Sequence, residues 1–232
     1  MKPLVVIPAR GGSKRLSGKN IKPLKDKPLI HYTIEAAREV FDDDVICVST
    51  DNVKIKQVSE ETGLKVPFLR PKRLATDTAD SRSVLLHAYE YYKKEKGYEA
   101  DVIILLQPTS PLRKSTHIQE AFELYHEDLD MVVSVKETNA NPYFVLYEEN
   151  ENGYLEKSKR GNFTRKQDVP EVWELNGAIY VMNVRSFKKG QPMNFDKVVK
   201  YKMGVIESMD IDTELDFNIA EAILESQDYK QS

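Results

Sequence analysis

Short continuous runs of apolar residues alternate along the chain with longer segments in which apolar residues recur every three to four positions. Continuous apolar runs are typical of strands buried on both faces, and the longer period indicates amphipathic helices. The pattern predicts strands at residues 3–8, 44–49, 101–106, 131–135, 177–182 and 198–206, and helices at 28–41, 51–62, 83–96, 115–126 and from Thr213 onward.

The alternation of strands with helices indicates βαβ units. It predicts a Rossmann-like, three-layer α/β/α fold with a mostly parallel, twisted sheet, in which residues 1–232 form one domain. In such sheets ligands bind beyond the carboxyl ends of the strands, so the loops that follow the strands are the candidate binding segments.

The last helix carries its own start signal, because Thr213 and Asp216 have the spacing of a capping box. The apolar residues of this segment predict its buried face. That face is expected to contain Leu215, Ile219, Ala220, Ile223 and Leu224.

Residues 139–173 depart from this pattern, since they are polar and only weakly periodic. A turn signal at residues 150–153 separates two short segments, 143–147 and 154–157. We therefore expect an inserted β-hairpin arm at 139–173.

Composition excludes several classes of protein. The chain of 232 residues is 41% hydrophobic and 31% charged, as folded domains are. Its longest apolar run, residues 102–106, is far shorter than the roughly 20 residues of a membrane helix. No secretory signal is visible, so we expect a cytoplasmic protein without membrane association. The single cysteine, Cys47, excludes a disulfide framework and is expected to be inert in a buried strand.

Charge is distributed unevenly along the chain. The net charge is −3, yet residues 10–27 hold seven basic residues and one acid, Asp26. Nucleic-acid binders spread Lys and Arg over a larger face, so we expect no nucleic-acid partner. The concentrated segment favours binding of a small, highly charged anion.

The basic segment follows the first predicted strand. Gly11 and Gly12 let the backbone approach a ligand and turn its N–H groups toward an anion. The segment is not a Walker A loop, because Lys19 is followed by Asn20, and it contains no G-x-G-x-x-G fingerprint. A solvated, lysine-rich surface loop is the alternative.

This loop and five later motifs, in order along nearly the whole chain, resemble the acylneuraminate cytidylyltransferase family, the CMP-sialic acid synthetases. The resemblance implies a fold of the nucleotide-diphospho-sugar transferase type. It also implies transfer of CMP from CTP to the anomeric hydroxyl of a nine-carbon ulosonic acid, with release of pyrophosphate. The motifs occupy residues 8–20, 70–79, 107–113, 165–168, 176–180 and 210–216.

The resemblance implies roles on the nucleotide. Arg10 and Lys19 would hold phosphates and stabilise the departing pyrophosphate, and Arg70 would contact the cytosine. The implied catalytic residues are Arg10, Lys19, Asp210 and Arg165. The implied nucleotide-binding residues are Arg10, Gly11, Gly12, Ser13, Lys14, Lys19, Asn20, Arg70, Ala79 and Ser81.

The resemblance also implies sugar contacts from Gln107, Asn176 and Tyr180. Loop stabilisation is the alternative for Gln107, and simple packing is the alternative for Tyr180. Arg165, on the arm, would reach the sugar carboxylate in a second subunit, which implies a homodimer with a shared active site. The family usually has arginine and tyrosine where this chain has Lys166 and Trp173, and both departures lie on the sugar side.

Asp210 and Asp212 are one residue apart, so both carboxylates project to the same side of an extended segment. Paired carboxylates beside phosphate oxygens suit Mg²⁺. Capping of the last helix is the alternative, but Thr213 fills that role better. By resemblance, Asp210 would also help to deprotonate the attacking hydroxyl.

Several alternatives remain open. Ketodeoxynononate, legionaminate and pseudaminate are rival substrates for the same chemistry. A non-catalytic nucleotide-binding protein and a glycosyltransferase are the candidates from other classes, since glycosyltransferases also use Asp-x-Asp.

Overall fold

A computed structural model of the chain describes residues 1–12, 15–76 and 80–226. The strands are β1 Pro3–Pro8, β2 Pro23–Leu24, β3 Lys27–Pro28, β4 Ile46–Ser49, β5 Val102–Leu106, β6 Met131–Glu137, β7 Tyr147–Glu149, β8 Leu155–Lys157, β9 Trp173–Asn183 and β10 Val198–Lys202. The helices are α1 Leu29–Arg38, α2 Val53–Glu60, α3 Ser81–Glu95, α4 Ser115–Glu123, α5 Val184–Lys189 and α6 Glu214–Glu225.

The main sheet has six strands in the order β10-β6-β9-β5-β1-β4. Its strands run parallel except β9, which is antiparallel to both β5 and β6. This confirms the predicted mostly parallel α/β sheet. The predicted elements did not reveal the reversed direction of β9. The carboxyl ends of β1, β4 and β5 meet at one edge of the sheet.

Alternating side chains of β1 build both faces of the core. Val5 and Ile7 lie in a cluster with residues of α1, whereas Leu4 and Val6 lie in a cluster with residues of α3. Strands covered by helices on both faces need apolar residues at every position, which explains the continuous runs. Cys47 is fully buried in β4, and burial raises the pKa of its thiol to about 12, so the thiol stays protonated at neutral pH.

Strand β9 contains a large bulge opposite β6. Val133 pairs with Tyr180 and Val135 pairs with Leu175, so the four residues 176–179 face the single residue Ser134. Bulges of this kind re-aim side chains and often lie beside functional sites. The strand predicted at 177–182 therefore begins earlier, at Trp173, and includes the bulge.

The arm forms a separate two-stranded hairpin of β7 and β8. The first strand of the hairpin begins only at the end of the segment 143–147, because the carbonyl of Asn141 accepts the N–H groups of residues 144, 145 and 146 and closes a turn there. The predicted turn at 150–153 is confirmed, since Gly153 N–H donates to the Asn150 carbonyl.

Helix α6 begins as predicted, with Thr213 and Asp216 forming a capping box. The predicted buried face was wrong at two positions, since Leu215 is 66% exposed and Ile219 is 40% exposed. The helix packs through Ala220, as predicted, and through Phe217, which was not predicted, three residues apart on its inner face.

The prediction of a strand extending to residue 206 was also wrong. Strand β10 ends at Lys202, and a turn follows in which Ser208 N–H donates to the Gly204 carbonyl. Among the described residues, no helix combines the length and the apolar character needed to cross a bilayer.

Candidate active site

A polar cavity of about 410 Å³, here called the main cavity, lies at the carboxyl edge of β1 and β5. A second cavity of about 460 Å³, the side cavity, adjoins it, and Asp210 and Gly177 line both. The predicted residues that line the main cavity are Arg10, Lys19, Asn20, Arg70, Ser81, Gln107, Asp210 and Asp212.

Other predicted residues lie elsewhere. Asn176 and Tyr180 line the side cavity. Ser13, Lys14 and Ala79 lie outside the described residues.

The basic loop contacts the acidic pair directly. Lys19 Nζ donates to the Ile211 carbonyl and, at 3.1 Å, to Oδ1 of Asp212. Arg15 lies 3.3 Å from the other oxygen of Asp212. Lys19 is positioned by the short 3₁₀ turn Lys19–Ile21, which follows Gly18 in the left-handed conformation. The two segments, almost 200 residues apart in sequence, therefore form one charged centre.

Asp210 has the more perturbed carboxyl group. Desolvation at the junction of the two cavities raises its pKa, and the nearby Asp212 raises it further. A hydrogen bond with Thr109 and the charge of Lys19 act in the opposite direction. The net effect of these contributions is a raised pKa for Asp210. A cation bound nearby would lower this pKa.

The donor set at this centre fits a magnesium ion. Mg²⁺ binds through one or two carboxylates and completes its shell with phosphate oxygens and water. Asp210 and Asp212 supply two carboxylates at the wall of the main cavity. No cluster of three or more His, Cys, Asp or Glu occurs in the described ranges, so phosphate and water would have to supply the remaining ligands.

Arg70 is buried beside the main cavity and pairs with Asp51, with an N–O distance of 3.6 Å. Asp51 also accepts the backbone N–H of Gly11 at 3.0 Å. Burial lowers the pKa of Arg70, and Asp51 raises it. The Gly11 amide, predicted to face an anion, is therefore turned toward Asp51 in this conformation, and neither Gly11 nor Gly12 lines the main cavity.

Gly11 has a steric reason to be glycine. A Cβ at this position would lie 2.6 Å from Nδ2 of Asn52. Asn52 caps α2 by accepting the N–H groups of Lys54 and Ile55. Among the described residues, its chain neighbours aside, no atom lies within 4 Å of a Cβ built at Gly12.

We expect Gly11→Ala to destabilise the fold by about 1 kcal/mol, because the new methyl group would displace the Asn52 cap. Gly12→Ala is the matched control and should leave the free energy of unfolding within about 0.5 kcal/mol of its original value. Urea unfolding curves measure both values. Equal effects at the two positions would contradict the steric explanation.

Asn20 offers an unused acceptor. Its Nδ2 donates to the Arg10 carbonyl at 3.1 Å, while its buried Oδ1 has no partner among the described residues. Buried polar atoms are normally hydrogen-bonded, so an orphaned oxygen in a cavity wall suits a ligand hydroxyl or amino group.

Asn176 has a different environment. Its Oδ1 accepts from Ser134 Oγ and from the Ala178 N–H, and its Nδ2 donates to Ser208 Oγ at 2.8 Å. The amide thus holds the bulge of β9 in place. This arrangement favours a role in positioning the cavity wall.

Tyr180 is half-buried and packs against the core cluster that contains Leu4 and Val6. Its pKa is raised, mainly by burial and then by Asp210. The phenol therefore remains a neutral hydrogen-bonding group at the side cavity.

Arg165 lies on the exposed part of the arm and lines neither cavity. Its guanidinium forms a two-pronged pair with Asp168, at 2.7 and 2.9 Å. Arg165 thus binds the carboxylate of Asp168 in the bidentate geometry that was predicted for its contact with the carboxylate of the sugar.

Some residues at the site were not predicted. Asp51 is the second residue after β4 and Thr109 is the third residue after β5, and both contact predicted site residues. The sequence could have indicated them by their position, because loops that follow buried strands carry the ligand-binding residues in such sheets. Arg10, which was predicted, follows β1 in the same way.

An open, mostly parallel sheet with a cation-lined cavity at its carboxyl edge is the architecture of α/β proteins that bind nucleotides. A profile of the family described as cytidylyltransferase matches residues 4–226. The chain belongs to the cytidylyltransferase family.

Similar proteins include an N-acylneuraminate cytidylyltransferase of Streptococcus agalactiae, 36% identical over 94% of this chain and 52% of that protein. A CMP-N,N'-diacetyllegionaminic acid synthase of Legionella pneumophila is 34% identical over 97% of both chains. This chain therefore spans about half the length of the first relative and nearly all of the second.

Among solved structures, a CMP:2-keto-3-deoxy-manno-octonic acid synthetase in complex with CTP superposes with a TM-score of 0.71. It is 20% identical and covers 97% of this chain and 98% of its own. At that identity the match supports the fold, which agrees with the sheet described above.

Proposed function

We propose that this protein transfers CMP from CTP to the anomeric hydroxyl of a nine-carbon ulosonic acid of the sialic acid type. The observation that carries the proposal is the pair of adjoining cavities with Asp210 at their junction. The main cavity has the cations that a triphosphate requires. The side cavity has room for the acceptor sugar next to the same carboxylate.

The main cavity would hold CTP. Arg10 and Lys19 would bind phosphate oxygens and stabilise the pyrophosphate as it leaves. Arg70 would contact the cytosine, and the unpartnered Oδ1 of Asn20 would accept from the ribose or the base. Ser81, in the first turn of α3, also lines the main cavity and would contact the nucleotide.

The side cavity would hold the acid. Tyr180 would face the sugar, and Asn176 would keep the β9 bulge in position behind it. Gln107 would contact the acyl sugar from the main-cavity side of the junction. Arg165 of a second subunit would bind the sugar carboxylate, which would replace Asp168 as the partner of the guanidinium.

Asp210 and Asp212 would hold Mg²⁺, which neutralises charge on the phosphates when it is bound. Lys19 already bridges the Ile211 carbonyl and Asp212, so the loop and the acidic pair would enclose the phosphates together.

In the reaction, the anomeric oxygen forms a bond to the α-phosphorus while the bond from that phosphorus to the bridging oxygen of pyrophosphate breaks. The hydroxyl proton leaves to a base or to water, and Asp210 lies at the junction where that proton would be released. Positioning and electrostatic stabilisation supply most of the rate enhancement in such transfers.

The test is pyrophosphate release from CTP and Mg²⁺ with N-acetylneuraminate, ketodeoxynononate, legionaminate, pseudaminate and the eight-carbon ketodeoxyoctonate. Pyrophosphate release with N-acetylneuraminate supports the proposal. Pyrophosphate release with only one of the other acids would identify that acid as the acceptor. No release with any acid would overturn it. Transfer from CMP-sugar to a second sugar would identify a glycosyltransferase instead.

We further propose that the arm joins two copies of this chain. Five large apolar side chains on or beside the hairpin are exposed, and an exposed apolar patch of that kind marks an interaction surface. They are Val145, Leu146, Tyr147, Tyr154 and Leu155.

The double substitution Tyr154→Asp and Leu155→Asp should convert a dimer into a monomer, because each charge would have to be buried in the interface. Leu124→Asp, at an exposed apolar position after α4, is the matched control and should leave the dimer intact. Light scattering after gel filtration measures both masses. A monomeric parent protein, or dissociation by the control alone, would refute the arm as the interface.

A further inference from the structure

Arg113 is a buried charge with an unusual environment. It ends the loop 107–113, which follows β5, and it is 3% exposed. Among the described residues no carboxylate forms an ion pair with it, and burial alone lowers its pKa, to about 9. The guanidinium therefore stays charged at neutral pH without a counter-ion, an arrangement that proteins rarely retain because it is costly.

Its hydrogen bonds join three parts of the fold. Nη1 donates to the carbonyls of Gln107 at 3.0 Å and Ala178 at 2.9 Å. Nη2 donates to Oγ1 of Thr33, in α1, at 2.7 Å. One planar group thus connects the loop after β5 to the bulge of β9 and to α1.

The first of these carbonyls belongs to a residue that lines a cavity, and the second belongs to the chain neighbour of one. Gln107 lines the main cavity, and Ala178 directly follows Gly177, which lines both cavities. The same loop reaches the acidic pair, since the Thr109 carbonyl accepts the Ile211 N–H at 2.8 Å and Thr109 also bonds to Asp210. A shift of this loop would therefore move Gln107 and Asp210 relative to the β9 wall.

We propose that Arg113 is a positioning residue for the transfer reaction, which holds the 107–113 loop against the β9 bulge and thereby sets the geometry of the junction between the two cavities. The inference rests on the proposed function. A lysine cannot replace this arginine, because an ammonium group is a point charge and lacks the planar fork that reaches both carbonyls and Thr33 together.

The test compares Arg113→Lys with Thr33→Val, which removes one partner of the guanidinium and leaves the charge in place. Arg38→Lys is the matched control. Arg38 also donates to a carbonyl, that of Thr62, but it lies outside both cavities. Each variant is assayed for kcat, for KM of CTP and of the acid, for melting temperature, and for hydrogen exchange at residues 107–112.

We expect Arg113→Lys to lower kcat between about tenfold and about a hundredfold, because small displacements of reacting groups have effects of that size. KM for CTP should stay within about twofold, since Arg10, Lys19 and Arg70 are unchanged. Thr33→Val should change kcat in the same direction by less, and both variants should speed exchange at 107–112. Arg38→Lys should lower the melting temperature alone.

An unchanged kcat in Arg113→Lys, or unchanged exchange in the loop, would overturn the proposal. If Arg113→Lys does not fold, Thr33→Val decides the outcome by the same criteria. A parent protein without any transfer activity would refute the proposed function. The exchange measurement would then still show whether Arg113 holds the loop.

Discussion

Replacing Asp212 by asparagine should reduce kcat for pyrophosphate release by about a hundredfold to a thousandfold, the range seen when one electrostatic contact to a transition state is removed. Asp212 lines the main cavity, contacts Lys19 and Arg15, and is one of two carboxylates that fit Mg²⁺. The substitution removes the charge and preserves the shape. Steady-state rates at saturating CTP and acid, measured across a Mg²⁺ titration, test the expectation.

The fold should tolerate this change. The cap of α6 is made by Thr213 and Asp216, so Asp212 is not needed for the helix to start. Glu214→Gln is the matched control, because Glu214 lies two residues further on, pairs with Lys22 and lines neither cavity. If Asp212→Asn keeps its rate within tenfold, or if Glu214→Gln loses as much, Asp212 is not a metal ligand.

Lys19→Met should lower kcat/KM for CTP by about a hundredfold. The lysine is nearly buried at the wall of the main cavity, where a charge-assisted hydrogen bond to phosphate is strong and where Lys19 also ties the basic loop to Asp212. Methionine keeps most of the apolar stem and removes the ammonium group. Initial rates over a range of CTP concentrations give the ratio directly.

Lys22→Met is the control for this experiment. Lys22 belongs to the same basic segment, but it pairs with Glu214 and lies over the ring of Phe217, outside both cavities. It should therefore change kcat/KM by less than about twofold. Equal losses in the two variants would mean that the segment acts through its total charge and that Lys19 has no specific contact with phosphate.

The central strands could be predicted because burial on both faces requires apolar residues at every position. Strands β1, β4 and β5 are such runs, and helices α1 and α3 cover them on opposite faces. The direction of β9 could not be predicted in this way, since an apolar strand pairs equally well in either direction. The buried face of α6 was mispredicted because Leu215 and Phe217 have similar apolar character, and only packing against β2 and its neighbours distinguishes them.

The candidate site was predicted unevenly for a related reason. Arg10, Lys19 and the acidic pair stand out because charge and glycine cluster locally in the sequence. Arg113, Ser134 and Ser208 carry no such local signal. Their importance comes from partners tens of residues away, as when Asn176 joins Ser134 to Ser208.

The sequence by itself determined the approximate positions of the six strands of the main sheet and of helices α1–α4 and α6, where the basic loop and the acidic pair lie along the chain, and which chemistry those residues support. These properties depend on local periodicity, charge and spacing. Only the tertiary structure decided that Lys19 meets Asp212, that Gly11 faces Asp51, and that two cavities join at Asp210. Those contacts arise from the pairing of distant strands and the bulge in β9, because the packing of the whole domain sets their distances.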